Sequence, residues 1–473
     1  MSLSAPFSFA AFCYLEFSVC SRRCLQCIRR ILTVRAEATA RGVPHEVSGL
    51  NPSDTSWLED ERQRITQEAL ELCRLLVRTN TVNPYSGDPN SGGEAAGQIL
   101  IHSWLAETGA SITQFEPPAD IYARMGVSGP KDRSFEGRPN LVAEWVFGSG
   151  RGPRLILQGH MDTVGTQEMI IDPFSGSIKD GRIWGRGASD MKGGMAAGIA
   201  AVRALCRHAD DLDGSLVFMS VVDEECDGIG AGALACLDGG YRGDAVICLD
   251  GVGPAIHVGC DGVVTAKIRL RSSGGHAAQR HKTPNALDRA LEIARAINAF
   301  ADQRCESVGR GTNLGVFRAG SHHSATPTTA ELAINISYTL AEAKESARQG
   351  KGYGGHLVKE AFARMIESVD PRAQLEWVKD AIPFEPLDEK HPEVLALQEA
   401  YHAEAGTRPP VNPFYAWSDA CYHSYFGEMP TLIFGAGTPN TAHGPEEYNE
   451  TERISACARI LTRYLFDRLS RTK

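Results

Sequence analysis

Five short, almost unbroken apolar runs constrain the fold of this 473-residue chain more than any other feature. They lie at 141–146, 155–158, 215–222, 245–249 and 431–434. A strand with one wet face alternates apolar with polar, so runs that stay apolar belong to strands covered on both sides. Helical patterns separate or flank them at 65–78, 95–108, from Met191 onward, at 392–405 and from Glu452. In the last of these, Ile454, Leu461, Leu465 and Leu469 fall on one side. This order predicts an α/β fold, a mostly parallel sheet with helices on both faces.

From Gly259 the texture changes. Residues 263–270 alternate, a helix follows Asn285 to Phe300 with Leu287, Leu291, Ala294 and Ile297 as its apolar face, and 330–338 alternate again before a helix at 356–366. That succession predicts an α+β module inserted into the first domain. The chain is too long for one simple core. The expected division is 56–258 with 381–473 as one domain and 259–380 as the insert. The stretch 117–139, rich in Pro and Gly, reads as a long loop.

Residues 1–55 read as an extension, disordered or a mis-assigned start. The apolar run 5–20 is short of the roughly 20 residues a membrane span needs, and its basic residues follow it where a secretory signal puts them first. Cys20, Cys24 and Cys27 find no convincing fourth ligand nearby, which disfavours a zinc knuckle. The net charge of −10 argues against a nucleic-acid or membrane-surface partner. Thirteen cysteines is an odd number, and the nine from Cys73 onward lie scattered, which suits free thiols in a reducing compartment, here the cytoplasm.

The chemistry-bearing residues sit directly after the buried strands. His160 and Asp162 follow 155–158, and two residues apart in extended chain they share a face. A metal-binding imidazole wants a carboxylate on its other nitrogen, and Asp162 is placed to supply one. Glu224 and Glu225 follow 215–222, Asp250 follows 245–249, and His443 comes one loop after 431–434. Asp190 stands in a Gly-rich turn ahead of a helix. In open α/β sheets ligands bind at the carboxyl ends of strands, so residues spread over nearly 300 positions can converge there. So many carboxylates in one place repel one another and resist ionisation. Two divalent cations bound by Asp190, Glu225, Asp250, His160 and His443 remove that conflict, and such a pair is a hydrolase arrangement. Zinc fits the donor set best, with cobalt or manganese as alternatives. Glu224, beside a ligand, suits a general base.

Blander readings fail on particular residues. Asp223 to Gly228 resembles the start of a calcium loop, but its twelfth position is Leu234, where a bidentate Glu is required. Gly185-Arg186-Gly187 has Asp190 where a dinucleotide turn needs its third glycine.

With GHMDTV, GRGASDMKGG, DEE and AHGPEEY in this order, the chain from Glu59 to Lys473 resembles the acetylornithine deacetylase/succinyl-diaminopimelate desuccinylase family, which includes aminoacylases and glutamate carboxypeptidases. The resemblance implies that His160, Asp190 and Asp250 hold one zinc and Asp190, Glu225 and His443 the other. It makes Asp190 the bridging ligand, Asp162 the orienting carboxylate and Glu224 the catalytic base. It also makes the insert a lid through which many members form homodimers, with His276 of Gly274-Gly275-His276-Ala277 as an oxyanion stabiliser and His281 as the fallback. The implied activity is deacylation of a small N-acyl amino acid or related N-acyl amine. A dipeptidase or carboxypeptidase with the same machinery is the rival, and a non-catalytic metal-binding protein the more distant one.

Departures from the family pattern bear on the substrate. Arginines that grip a substrate carboxylate are replaced by Ser337 and Cys421, and an Asn before a Val-Pro turn by the segment His322-His323-Ser324-Ala325-Thr326-Pro327. Neither Ser nor Cys can form a bidentate fork. The substrate is therefore expected to differ from the usual N-acyl-α-amino acid, or to be held by Arg280 or Lys282.

Overall fold

A computed structural model describes residues 56–471, so the extension at 1–55 and its cysteines lie outside the described residues. The larger sheet has eight strands, in spatial order Ser111–Phe115, Asn140–Phe147, Gly214–Val221, Arg154–His160, Ala245–Cys248, Thr431–Ile433, Ile256–Cys260 and Val411–Phe414. Its centre, from Gly214–Val221 to Thr431–Ile433, is parallel throughout. Asn140–Phe147 joins one side antiparallel and Ile256–Cys260 the other. The expected mostly parallel sheet is present, with antiparallel borders.

The central strands are buried on both faces, as their sequence requires. On one side Ile156, Val217, Met219 and Val246 join the helices Ala231–Asp238 and Ala420–Tyr425 in one apolar cluster. The helices Ser56–Arg78, Gly193–Arg207 and Thr451–Leu469 pack against one another. Ile454, Leu461, Leu465 and Leu469 are all fully buried. The helix Gly193–Arg207 is rich in Gly and Ala because it presses onto the chain after Ala245–Cys248. A Cβ on Gly194 would lie 2.1 Å from the Leu249 carbonyl oxygen.

A second, four-stranded antiparallel sheet runs Thr312–Ala319, Thr329–Tyr338, Gly262–Arg271, Gln374–Ala381. The helices Ala286–Val308 and His356–Val369 close its core, with Ile293, Ile297, Phe362 and Ile366 against Ile268, Leu332 and Ile334. Two details differ from expectation. The first helix runs on to Val308, and Ala286, Ala290, Ile293 and Ile297 form its buried face while Leu291 is 40% exposed. The strand Thr312–Ala319 has no apolar run to announce it, because at the sheet edge it is held by backbone pairing and stays largely exposed. Likewise the amino-terminal helix begins at Ser56, nine residues before the pattern becomes visible, and the 117–139 loop contains a short helix, Ile121–Arg124.

His423 carries an expected pH effect. It is fully buried, neither ring nitrogen has a protein partner, and burial, assisted by Arg242, pushes its pKa from 6.5 down to about 4. The unfolded chain takes up a proton below pH 6.5 that the folded chain refuses until about pH 4. Stability is therefore retained above 6.5 and lost as the pH falls through that window, by about 3 kcal/mol. His423→Leu is expected to flatten this part of the acid limb in urea unfolding at pH 7 and pH 4; an unchanged slope would refute it. Among the described residues no helix is long and apolar enough to cross a membrane.

Candidate metal centre

Neighbouring parallel strands deliver the predicted residues to one rim. His160 ends Arg154–His160, Glu224 and Glu225 follow Gly214–Val221, and Asp250 follows Ala245–Cys248. Asp190 sits in the turn before Gly193–Arg207, and His443 in the loop after Thr431–Ile433. His160 Nε2 is 3.1 Å from Asp190 Oδ1. His443 Nε2 is 3.2 Å from Asp190 Oδ2 and 3.0 Å from Glu225 Oε1. Two groups of donors result, His160–Asp190–Asp250 and Asp190–Glu225–His443, each with its ligand atoms within 4.8 Å of one another. Asp190 belongs to both, one carboxylate oxygen facing each histidine. Glu224 Oε2 stands 4.0 Å from His160 Nε2. The His443 side chain is half exposed and marks the open side of the cluster, whereas His160 is 2% exposed.

Buried polar contacts hold these groups in place. Asp162 accepts hydrogen bonds from the Glu224 and Glu225 amides at 3.2 and 3.0 Å and from Asn83 at 2.7 Å. It therefore fixes the acidic turn. Toward His160 it presents its main-chain carbonyl, 3.0 Å from Nδ1, with the carboxylate 3.8 Å away. A partner on Nδ1 leaves Nε2 free to ligate, whichever oxygen supplies it. Asp223, at the start of the turn, is held by Arg138 at 2.9 Å and by the Tyr122 hydroxyl at 2.8 Å. Farther along, Gly230 has φ +68° and a Cβ there would meet Asp419 Oδ1 at 1.9 Å, so only glycine lets this loop close over Asp419.

Three residues that the sequence reading did not single out support the cluster. Glu447, buried in the AHGPEEY segment, accepts from the amides of Ser189 and Asp190 at 3.0 and 3.3 Å and pairs with Arg186 at 2.6 Å. Ser418 hydrogen-bonds the Asp250 carboxylate, and Asp419 accepts from Gln158 at 3.1 Å. Glu447 lies in a quoted motif next to His443, which was its only available signal. Ser418 and Asp419 stand just before Cys421, and no local pattern marks either as a support of the cluster.

The electrostatics test whether cations fit. Burial, with Glu225, Asp419 and Asp250 nearby, pushes Glu224 well above the usual carboxylate range. Burial and Asp190 do the same to Asp250. Asp190 is different: burial opposes its charge, but hydrogen bonds from His160 and His443 hold its pKa below the ordinary value. His160 is raised despite burial by Asp190 and Glu224, and His443 by Glu225 first. Proton-sharing of this kind is how a dense acidic cluster compensates without metal. Two divalent cations would replace those protons, using neutral imidazoles and ionised carboxylates as N/O donors. The residues present fit such a pair.

His276 is elsewhere. It is exposed on the smaller module, where its Nδ1 accepts from the Ala278 amide at 3.2 Å, and it makes no hydrogen bond or ion pair with the cluster. His281 is exposed too. Arg280 is paired with Asp288 at 2.6 Å and lines a cleft of about 490 Å³ with His322 and His323.

A doubly flanked parallel sheet with this donor cluster at its rim defines a metal-dependent hydrolase of amide bonds. The chain belongs to peptidase family M20/M25/M40, whose pattern matches residues 156–467. It is 27% identical over 423 residues to a succinyl-diaminopimelate desuccinylase of Methylorubrum populi, covering 84% of this chain and 98% of that one. It is 26% identical over 447 residues to the N-formyl-4-amino-5-aminomethyl-2-methylpyrimidine deformylase of Bacillus subtilis, covering 88% and 98%. Among solved structures, a dipeptidase of Saccharomyces cerevisiae superimposes with a TM-score of 0.69 at 13% identity, covering 89% of this chain and 99% of that one. At that identity the likeness is one of fold.

Proposed function

We propose that the protein is a two-zinc deacylase that removes a small acyl group from an N-acyl amino acid or related N-acyl amine. The single observation that carries this reading is Asp190, whose two oxygens face two separate donor sets. His160, Asp190 and Asp250 would hold one zinc, and Asp190, Glu225 and His443 the other. When bound, such a pair polarises the amide carbonyl and acidifies water. Glu224 takes the proton from the attacking water and returns it to the leaving amine, a role that its place beside His160 and outside both donor sets suits. Asp162 keeps Glu224 and Glu225 in register through their amides.

Deacylation is preferred over peptide cleavage because the sequence relatives named above remove succinyl and formyl groups. Dipeptidase or carboxypeptidase activity remains the rival. Cys421 is fully buried in the core and cannot reach a substrate, and the Ser337 carbonyl is occupied by Arg304 at 2.8 Å. A substrate without the usual α-carboxylate grip fits both. We take residues 259–380 as a lid and dimerisation module. His276, without a contact to its own chain's cluster, would act on a cleft after lid movement or from a second copy. The nine described cysteines are all free, which supports a reducing, cytoplasmic setting.

The test is a substrate panel with zinc-loaded protein. N-acyl compounds are expected to be hydrolysed faster than dipeptides; the opposite order selects the peptidase, and failure to retain zinc removes the reading. Ser337→Arg is expected to shift preference toward acyl-α-amino acids. If N-acetylornithine or succinyl-diaminopimelate is already the best substrate of the unaltered protein, the inference from Ser337 and Cys421 is wrong.

A further inference from the structure

We propose that Lys379 is a positioning residue for the general base. From the last strand of the four-stranded sheet its ammonium holds the Gly228 carbonyl and, with Lys267 beside it, fixes the acidic turn that aims Glu224. The assignment rests on the two-cation deacylase reading, in which Glu224 carries the proton, and adds the part of the chain that sets the base in place.

The turn 223–228 does not hold its shape by itself. Asp223, Cys226 and Asp227 have φ of 67°, 55° and 63°, in the left-handed region that costs any residue but glycine. A Cβ on Gly228 would lie 2.3 Å from the Asp223 carbonyl oxygen, so the chain closes on itself there. Such conformations persist only where the surroundings impose them. Upstream, Asp162 holds the amides of Glu224 and Glu225. Downstream, three consecutive residues are each held by a cation. Arg133 donates to the Cys226 carbonyl at 2.8 Å, Lys267 Nζ lies 3.3 Å from Asp227 Oδ2, and Lys379 Nζ donates to the Gly228 carbonyl at 3.1 Å. Arg133 belongs to the 117–139 loop, but both lysines belong to the four-stranded sheet.

A β-bulge brings Lys379 to this face. Residues directly opposite in an antiparallel pair point the same way. Leu375 and Asp380 lie opposite Ile268 and Val264, which face the helices, and Trp377, opposite Ala266, packs on Phe362 with ring centroids 5.9 Å apart. In a regular strand Lys379, two residues after Trp377, would point to that same apolar side. Instead the register shifts after Trp377, and Lys379 pairs with Thr265, on the face of Lys267. Bulges re-aim side chains in this way, often beside active sites. Asp380 locks the shift, accepting from the Tyr338 hydroxyl at 2.8 Å and the Gly355 amide at 3.1 Å. Packing does not replace the tether. Turn and sheet are separated by a cleft of about 320 Å³ lined by Arg133, Asp227, Lys267 and Trp377, so polar contacts set their spacing. Lys379 Nζ also stands 5.8 Å from the centre of the Trp417 ring, on the loop that carries Asp419, the partner of Gln158. One side chain of the smaller module thus touches two loops that support the cluster.

The experiment has two arms, on the full chain. In the first, hydrogen–deuterium exchange is followed in metal-free protein. Amides of 223–230 are expected to exchange faster in Lys379→Met than in the parent, with the helix Gly193–Arg207 unchanged; parental exchange over 223–230 overturns the assignment. The second is a double-mutant cycle with zinc-loaded protein, on N-acetyl-L-methionine and acetanilide, an acyl amino acid and an acyl amine. Lys379→Met is expected to keep its zinc and its KM while kcat falls about 10- to 100-fold, the scale of a misplacement of up to about 1 Å. Parental kcat, or a change confined to KM, overturns it. Added to Glu224→Gln, the same substitution is expected to cost almost nothing further, because the residue it positions no longer works. An equal further loss in that background means a general structural role and overturns the proposal. If Lys379→Met melts below the parent, Lys267→Met, at a side chain 33% exposed, carries the same cycle with the same two outcomes. Full activity in Glu224→Gln alone removes the deacylase mechanism whatever Lys379 does. A parent that turns over neither probe removes that reading, and this assignment with it.

Discussion

Glu224→Gln is expected to reduce turnover by about 10²–10⁴-fold, the range supplied by a positioned general acid–base group, while bound zinc stays at the parental level. The side chain is nearly isosteric, so the packing around it is kept. Its amide is held by Asp162 through the main chain, and that contact does not depend on the side chain. What changes is the proton. Glu224 lies 4.0 Å from His160 Nε2 and belongs to neither donor group, so its loss removes a proton carrier and no ligand. Activity and metal content therefore separate in this variant. Metal analysis after dialysis, together with initial rates on the best N-acyl substrate, checks both halves. Full activity would remove the base assignment, and loss of metal would turn Glu224 into a ligand.

Asp190→Asn should behave in the opposite way, losing metal and activity together. One oxygen of Asp190 faces His160 and the other faces His443, at 3.1 and 3.2 Å. An amide offers one carbonyl oxygen and one NH₂ group, which donates and cannot ligate. It also removes the one negative charge that the two donor sets share. Outer-shell partners of a metal already account for roughly 10–100-fold in affinity or activity, and a shared ligand is expected to exceed the upper end of that range. Dialysed Asp190→Asn protein is expected to hold at most one zinc per chain and to be more than about 100-fold slower. Two tightly held metals in this variant would show that the two donor sets are independent of Asp190.

Both variants act on residues whose neighbourhood could be anticipated. His160, Glu224, Glu225 and Asp250 each follow a buried parallel strand, and strands that pair side by side must bring their ends together. Their company with Asp190 follows from the turn that leads into the Ala/Gly-rich helix. The supports were harder to see. Glu447 reaches the Asp190 amide across 257 residues, and Gln158 reaches Asp419 across 261. No local pattern marks such pairs, because each is an ordinary carboxylate until packing removes its water. Asp162 shows the same limit at shorter range. Its spacing from His160 was readable, but whether the carboxylate or the main-chain carbonyl meets the imidazole depends on where the turn 223–225 places its amides.

The sequence by itself determined what is local and periodic: the buried strands, the helices between them, the change of texture at Gly259, and the residue types at the strand ends. Hydrophobic burial enforces these, since a run apolar on both faces has only one stable environment. Tertiary structure alone decided the edge strands Ser111–Phe115 and Thr312–Ala319, which live by backbone pairing with few apolar side chains. It also decided which carboxylates and imidazoles share one rim, and that His276, exposed on the smaller module, makes no hydrogen bond with them. These outcomes depend on distance and dielectric between residues remote in the chain, and they arise only once the chain has closed around them.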